Sequence, residues 1–408
     1  MTRPLAAAVI ALAMTSALPR SSVAQVGLEV VVVPAFESLS PEGSAQESRG
    51  TIDGGLDAEA LFASERGRVS YTLDAGTFAT PGDWSFLQHD AALTWRLGAT
   101  AGPHAFLGVS STLRRNGDAW AAADYDAVGA KANVVWSPRS RLTLRTGVRA
   151  DARRFGDLPP LDQVEGSGFV SILANLPSRT TLIGEVFLGG KSYAGETILV
   201  PSGDPAAAPE AQGAQGESGR GRGAGGMGPG LRPAGGLPVT EGDESAGQFT
   251  WLVRAAQSLG PGTGLSLQYT RRSVFGSVPP VVVTTPALLF EDGVYDDPYA
   301  SDASAVRGVL THVFGGGAQA EIEGYWLDKA YVSTVALDET GAPLPDGALR
   351  SDAVWRAAAS ASVPVLGGRT GSVSLALEMG WQYTRHRSND AFYRYDAHGV
   401  RVGISATY

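Results

Sequence analysis

Short runs of alternating apolar and polar residues recur along most of the chain. Val69, Tyr71 and Leu73 alternate with Arg68, Ser70, Thr72 and Asp74. Ala105, Leu107 and Val109 alternate with Gly108, Ser110, Thr112 and Arg114, and Leu265, Leu267 and Tyr269 with Ser266, Gln268, Thr270 and Arg272. A period of two puts one set on each face of an extended strand. Helical spacing is not sustained anywhere after Gln25. The first strand is predicted over Val26 to Phe36, and later ones include Ser167 to Leu176, Thr180 to Lys191, Phe249 to Leu259, Ala303 to Phe314, Ala318 to Ala330, Asp352 to Val363 and Ser372 to Arg385. The last begins near Phe392.

The connections carry as much information as the strands. Tight ones, such as Ala101-Gly102-Pro103, Ser137-Pro138-Arg139-Ser140, Pro177-Ser178-Arg179, Gly260-Pro261-Gly262 and Gly315-Gly316-Gly317, hold the residue types that turns need. Long ones fall between them, so connections alternate long and short along the chain. The pattern predicts about sixteen strands, with fourteen or eighteen as alternatives because strand ends are the least certain part of such a reading. The longest connection, about residues 192–247, is Gly, Ala, Pro and Glu of low complexity. It has too few apolar residues to order itself, and is expected to be one long disordered loop. A linker between two domains is the alternative. Identical strand grammar on both sides speaks against it.

The final residues give a second line of argument. In Val400 to Tyr408 the residues Val400, Val402, Ile404, Ala406 and Tyr408 share one face, and Arg401, Gly403, Ser405 and Thr407 the other. Arg401, Gly403, Ala406 and Tyr408 occupy the spacing of a polar residue, Gly, and two closing apolar positions. This strand resembles the C-terminal signal of bacterial outer-membrane β-barrels, although a soluble sheet can end in the same way. The resemblance implies recognition by the barrel-assembly machinery and contact with outer-membrane lipids. It also brings the possibility of a homo-oligomer, since trimers are common among sixteen-strand porins. Short periplasmic turns, long external loops and an even strand number are the mark of such barrels. The expected fold is therefore all-β, a transmembrane antiparallel up-and-down β-barrel over residues 25–408. The last strand should pair with Val26 to Phe36, leaving no open edge.

The N-terminus fits an exported protein. Arg3 supplies a positive end, Leu5 to Leu18 is apolar, and Ser22 and Ala24 are small residues placed for cleavage before Gln25. Residues 1–24 are thus expected to be a signal peptide, leading to the outer membrane of a Gram-negative-type bacterium. The chain has no cysteine, which removes disulfides and thiolate metal sites, and a net charge of -9, which argues against a nucleic-acid binder.

In a membrane barrel the apolar face meets lipid and the polar face lines the lumen. Trp95, Trp136, Trp326, Trp355, Trp381, Tyr383 and Tyr408 then suit the interfacial girdles. On the polar face Arg96, Arg114, Lys131, Arg141, Arg145 and Arg149 cluster on adjacent strands. Such a stripe would face acids elsewhere, order water and favour anions or acidic sugars. The plainer reading is that these charges pair across strands and stiffen the wall.

Catalytic motifs are missing. No nucleophile elbow or zinc-protease motif occurs, and Gly190-Lys191-Ser192 is no phosphate loop because Glu185 stands where Gly is required. His89, Asp90, His386 and Asp390 are expected near the external rim, where a hydrolase would need to bring them together. The acidic group Glu291, Asp292, Asp296 and Asp297 reads as a solvated loop tip before it reads as a cation site. Arg220-Gly221-Arg222-Gly223 reads as filler in the long loop. No metal and no cofactor is expected, and no enzymatic activity. The first functional expectation is a porin-like channel for small polar or anionic solutes. The alternatives are an export conduit or accessory barrel for a polysaccharide or other secreted product, and a surface binding or structural barrel.

Overall fold

The computed structural model describes residues 25–41, 49–63, 66–78, 85–98, 102–117, 121, 124–157, 159–194, 198–199, 245–276, 281–282, 297–339, 342–366 and 374–407. The predicted signal peptide, the bulk of the 192–247 loop, Glu291, Asp292, Asp296 and Tyr408 lie outside the described residues. So does Arg220 to Gly223.

The strands in chain order are β1 (Gln25–Pro41), β2 (Arg49–Ala63), β3 (Gly67–Phe78), β4 (Ser85–Leu97), β5 (His104–Asn116), β6 (Tyr125–Arg139), β7 (Leu142–Phe155), β8 (Gln163–Asn175) and β9 (Thr180–Tyr193). After the two-residue β10 (Ile198–Leu199) come β11 (Ser245–Gly260), β12 (Thr263–Gly276) and the short β13 (Val281–Val282). The chain ends with β14 (Ser301–Val313), β15 (Gln319–Val335), β16 (Leu349–Leu366), β17 (Ser374–Ser388) and β18 (Tyr395–Thr407). All except β10 and β13 form one closed barrel, in which each strand pairs with its neighbours in sequence and β1 pairs with β18. Val30 faces Ala406 and Phe36 faces Val400 across that seam. Sixteen strands therefore make the ring. β1 and β2 are described by backbone alone, so fourteen strands have a described inner and outer face.

Closure leaves no unpaired edge, which is the condition for backbone to cross a lipid core. The short connections lie at one end. Ser140 and Arg141 join β6 to β7, and Pro261 and Gly262 join β11 to β12. Gly262 has φ 75, and a Cβ on it would stand only 2.4 Å from the Val313 carbonyl oxygen, so both conformation and space require glycine there. The long connections lie at the other end. They differ from expectation in detail. β9 continues through Tyr193 and β11 starts at Ser245, so the long loop is shorter than residues 192–247 at both of its ends. A single helical turn at Pro298–Ala300 closes the 277–300 connection, and another at Ala391–Tyr393 delays the last strand to Tyr395.

The two faces are chemically opposite. Val148, Ile322 and Val365 are 61%, 60% and 68% exposed, more open than a soluble core would allow. Leu107, Val109, Val128, Val134, Val170, Ile172 and Leu267 share this outward face. An apolar outer face over the fourteen strands so described, on a closed barrel, needs lipid as its solvent. Buried residues instead collect inside the long-connection end, among them Tyr193, Tyr299, Tyr331, Leu337, Val354, Tyr393 and Tyr395.

Candidate functional site: the charged lumen and its external rim

Strand alternation puts Arg96, Arg114, Lys131, Arg145 and Arg149 on the inner face of β4 to β7, opposite in parity to the exposed Leu97, Leu113, Val134 and Val148 side. Lys131 and Arg149 are direct cross-strand partners. Lys131 lies flat along the wall across Gly108, where a Cβ would come within 2.7 Å of its Cε. Arg145 rests on the Phe169 ring, 5.2 Å from its centroid, and Arg114 lies 4.6 Å from the Phe86 centroid. Arg114 also reaches Oε1 of Gln88 at 3.4 Å. Among the described residues Arg149 alone of the group is paired with a carboxylate, that of Asp151. Among the described residues Lys131 and Arg145 have no carboxylate partner, and both are exposed to the interior.

Arg141 departs from the expected stripe. It occupies the β6–β7 turn and is exposed at the short-turn end, away from the lumen wall. The strand pattern extends through its position, but Pro138 and the two-residue turn end the ladder first. Arg401 does face inward, lying across Gly380, where a Cβ would stand 2.7 Å from its Nε. Gly403 faces Glu378 in register, and Ala406 faces Leu375.

The acids stand across the ring. Between β7 and β17 seven strands intervene in either direction, and the same holds for β5 and β15. Glu321 and Glu323 of β15 and Glu378 of β17 point inward there. Glu321 accepts from the Thr311 hydroxyl at 3.3 Å, and Glu378 from the Ser362 hydroxyl at 3.0 Å. Glu323 pairs with Arg307. The lumen is thus basic along β4 to β7, while the facing strands mix the inward Glu321, Glu323 and Glu378 with the inward Arg307, Lys329, Arg356 and Arg401.

The external rim is built differently. Asp297, expected at a solvated loop tip, is folded into the lumen and is almost completely buried. Lys191 Nζ donates to its Oδ2 at 2.8 Å, and the Tyr193 hydroxyl donates to the same oxygen. Its Oδ1 accepts from the Tyr299 backbone N–H at 2.9 Å, capping the Pro298–Ala300 turn. The Tyr299 hydroxyl donates to Glu165 at 3.1 Å and sits over Gly189, leaving no room for a Cβ there. Burial, then the Glu165 charge, pushes the Tyr299 phenol well above its usual range. The end of the 277–300 connection is in this way seated against β8 and β9.

A second lock holds the next two long connections. Arg350 donates from Nε to Asp352 at 2.9 Å and pairs with it through its Nη2 as well. The guanidinium is sandwiched by Tyr331 and Tyr393, its Cζ 4.5 Å and 3.1 Å from the ring centroids. Ser388 donates to Asp352 at 2.7 Å, and His386 Nε2 lies 3.2 Å from it. Asp390 accepts from the Leu337 N–H at 3.2 Å, tying the β17–β18 connection to the β15–β16 one.

The residues expected at a catalytic rim are not brought together. His89 lies on the outer face of β4, 2.6 Å from the Tyr71 hydroxyl, while Asp90 points inward to Thr112 and Gln88. His386 and Asp390 belong to the buried lock, separated from β4 by four intervening strands of the ring. Ser388 donates to Asp352 and not to His386, so no nucleophile–base pair forms.

The barrel is a transmembrane one. Its closure, apolar exterior and charged interior are the arrangement of outer-membrane barrels. No family model matches the chain, and no curated protein matches it. Among solved structures it is similar to Acinetobacter baumannii OccAB1, with 8% identity, TM-score 0.48 and coverage of 94% of this chain and 96% of that one. It is also similar to Pseudomonas aeruginosa OccK8 (OprE), with 11% identity, TM-score 0.45 and coverage of 94% and 98%. A bacterial polysaccharide outer membrane secretin gives 8% identity, TM-score 0.45 and coverage of 93% and 97%. At such values each is a similar barrel, and nothing of its function carries over.

Proposed function

We propose that the protein is a non-enzymatic outer-membrane channel for small polar solutes, with a preference for anions. The carrying observation is that Lys131 and Arg145 face the interior, exposed and without carboxylate partners among the described residues. An unpaired ion in a dry interior costs several kcal/mol, so these cations need water around them. The same fact favours a transverse field over the plainer reading of charges paired to stiffen the wall. Glu321 and Glu378 stand across the ring among bases of their own strands, so the unpaired cations of β6 and β7 set the sign of the proposed preference. The inward-seated segment Asp297 to Ala300 narrows the route above it.

The test is planar-bilayer recording of the purified barrel in a potassium chloride gradient. The expected result is a steady current with a reversal potential on the anion side. Lys131→Glu with Arg145→Glu should move that potential towards cation preference. A barrel that inserts but passes no steady current, or a wild type selective for cations, would sink the proposal.

A further inference from the structure

Aromatic side chains are unevenly spread over the outer face of the barrel. From β11 to β17 that face carries Trp251, Tyr269, Trp326, Trp355, Trp381 and Tyr383, all near mid-strand or towards the external end. Trp326 and Trp355 face each other in register. The five adjacent strands β5 to β9 are built differently. Their outer face has charged margins, with Arg115, Asp126 and Arg154 at the external end and Arg139 at the β6–β7 turn. Between the margins its positions are aliphatic, glycine or small hydroxyl, and Trp136 at the short-turn end is the one aromatic among the described residues. Val109, Val128, Val148, Val164 and Leu188, one from each of these strands, are all more than half exposed. Rings at headgroup level anchor a barrel wall in lipid. The wall from β11 to β17 is built for that contact. The wall from β5 to β9 is apolar without the anchors, which suits a face covered by protein.

The external margin of this face is complementary to itself. Asp126 and Arg154 are register partners on β6 and β7, and both are exposed. Asp126 pairs with Arg115 at 2.5 Å and still keeps 57% of its side chain exposed. Arg154 makes no ion pair among the described residues. A two-fold axis between this acid and this base brings Asp126 of one copy to Arg154 of the other, twice over. Lower on the face, Gly166 and Gly184 are open hollows, with nothing within 4 Å of a Cβ placed on either. Side chains of a second copy can seat there. Five strands about 4.8 Å apart, over an apolar band about 25 Å tall, present roughly 600 Å² per copy and roughly 1,200 Å² for a pair, which reaches the size of a specific interface.

We infer that the outer face of β5 to β9 is the contact surface of a homodimer in the membrane, with Asp126 of each copy paired to Arg154 of the other across a two-fold axis. The inference rests on the barrel crossing a membrane and is independent of what its lumen passes.

The chain has no cysteine, so single cysteines report contacts without background. The test puts Ala152→Cys, one step inward from Arg154 on the same face, into the full barrel in outer membranes and treats it with a short bis-maleimide. Ile322→Cys, 60% exposed on the outer face of β15, is the control. Ala152→Cys should give a cross-linked dimer, and Ile322→Cys should stay monomeric. Val128→Cys, the register partner of Ala152, takes its place if that variant does not insert. Asp126→Arg should weaken dimerisation roughly fivefold or more, read by native mass spectrometry in mild detergent, because two symmetric exposed pairs are turned into repulsions. Adding Arg154→Asp to it should restore the dimer, which loss of the Arg115 contact or a folding defect would not allow. Monomer alone from both face variants, equal cross-linking of Ile322→Cys, or cross-linking only to a different protein would overturn the inference. A ring of three or more copies, or a charge swap that restores nothing, would overturn the two-fold pairing.

Discussion

The wall from β4 to β7 and the external rim hold the same kinds of side chain under opposite conditions. On the wall Lys131 and Arg145 stand exposed with aromatic or glycine neighbours and no carboxylate. At the rim Lys191 and Arg350 are nearly inaccessible, and each is locked to an aspartate. Water decides the difference. A hydrated cation needs no partner and keeps its field for solutes. A buried one must be neutralised and hydrogen-bonded, and so becomes part of the structure. Charge in this lumen is left unpaired where it is wet and built into the structure where it is dry.

The sharpest way to break this contrast is at Asp297. Asp297→Ala leaves Lys191 buried without its carboxylate, and should cost about 3–5 kcal/mol of local stability. Protease sensitivity in the 277–300 connection, together with altered conductance, checks it. The double change Lys191→Met with Asp297→Leu removes both charges at once, and should recover most of that loss. If the single and double variants behave alike, the pair is not what seats the connection.

Asp352→Asn is next in size. It weakens the partner of Arg350 while leaving Ser388 an acceptor, and should cost about 2–4 kcal/mol in urea unfolding. Lys131→Gln and Arg145→Gln, by contrast, should each leave unfolding within about 0.5 kcal/mol of wild type, because exposed changes away from packed contacts seldom do more. Their effect should appear in reversal potential alone. A large stability loss at Lys131 would erase the contrast between wall and rim.

The smallest effect concerns pH. The Tyr299 phenol is held above its usual range by burial and by Glu165. Its contribution is complete below the unfolded value of about 10 and is lost as pH rises towards the folded one. The external connection should therefore loosen only in strong alkali, seen as a conductance change. Tyr299→Phe should remove that alkaline step and cost about 1 kcal/mol through the lost hydrogen bond to Glu165.

Much of this was readable beforehand, for a physical reason. Period two in residues such as Ala105, Leu107 and Val109 states a strand and its two faces directly, and alternating connection lengths state an up-and-down order. The inward direction of Lys131, Arg145 and Arg149 followed from parity alone. Arg141 was misplaced because parity cannot say where a ladder stops, and the β6–β7 turn stops it one residue earlier. Asp297 was misplaced because an acidic run in a loop looks the same whether the loop points to solvent or inwards.

The sequence by itself determined the faces, the order of the strands and the sign of charge along each strand, since these depend only on neighbours along the chain. Tertiary structure decided which residues meet across the ring. It put Lys191 106 positions from the aspartate that neutralises it, in a site where both are dry. It also set Glu321 and Glu378 opposite the basic wall. Closure of the ring was expected from the strand pattern, but which side chains it sets opposite one another, and the inward folding of Asp297, depend on contacts that no local pattern encodes.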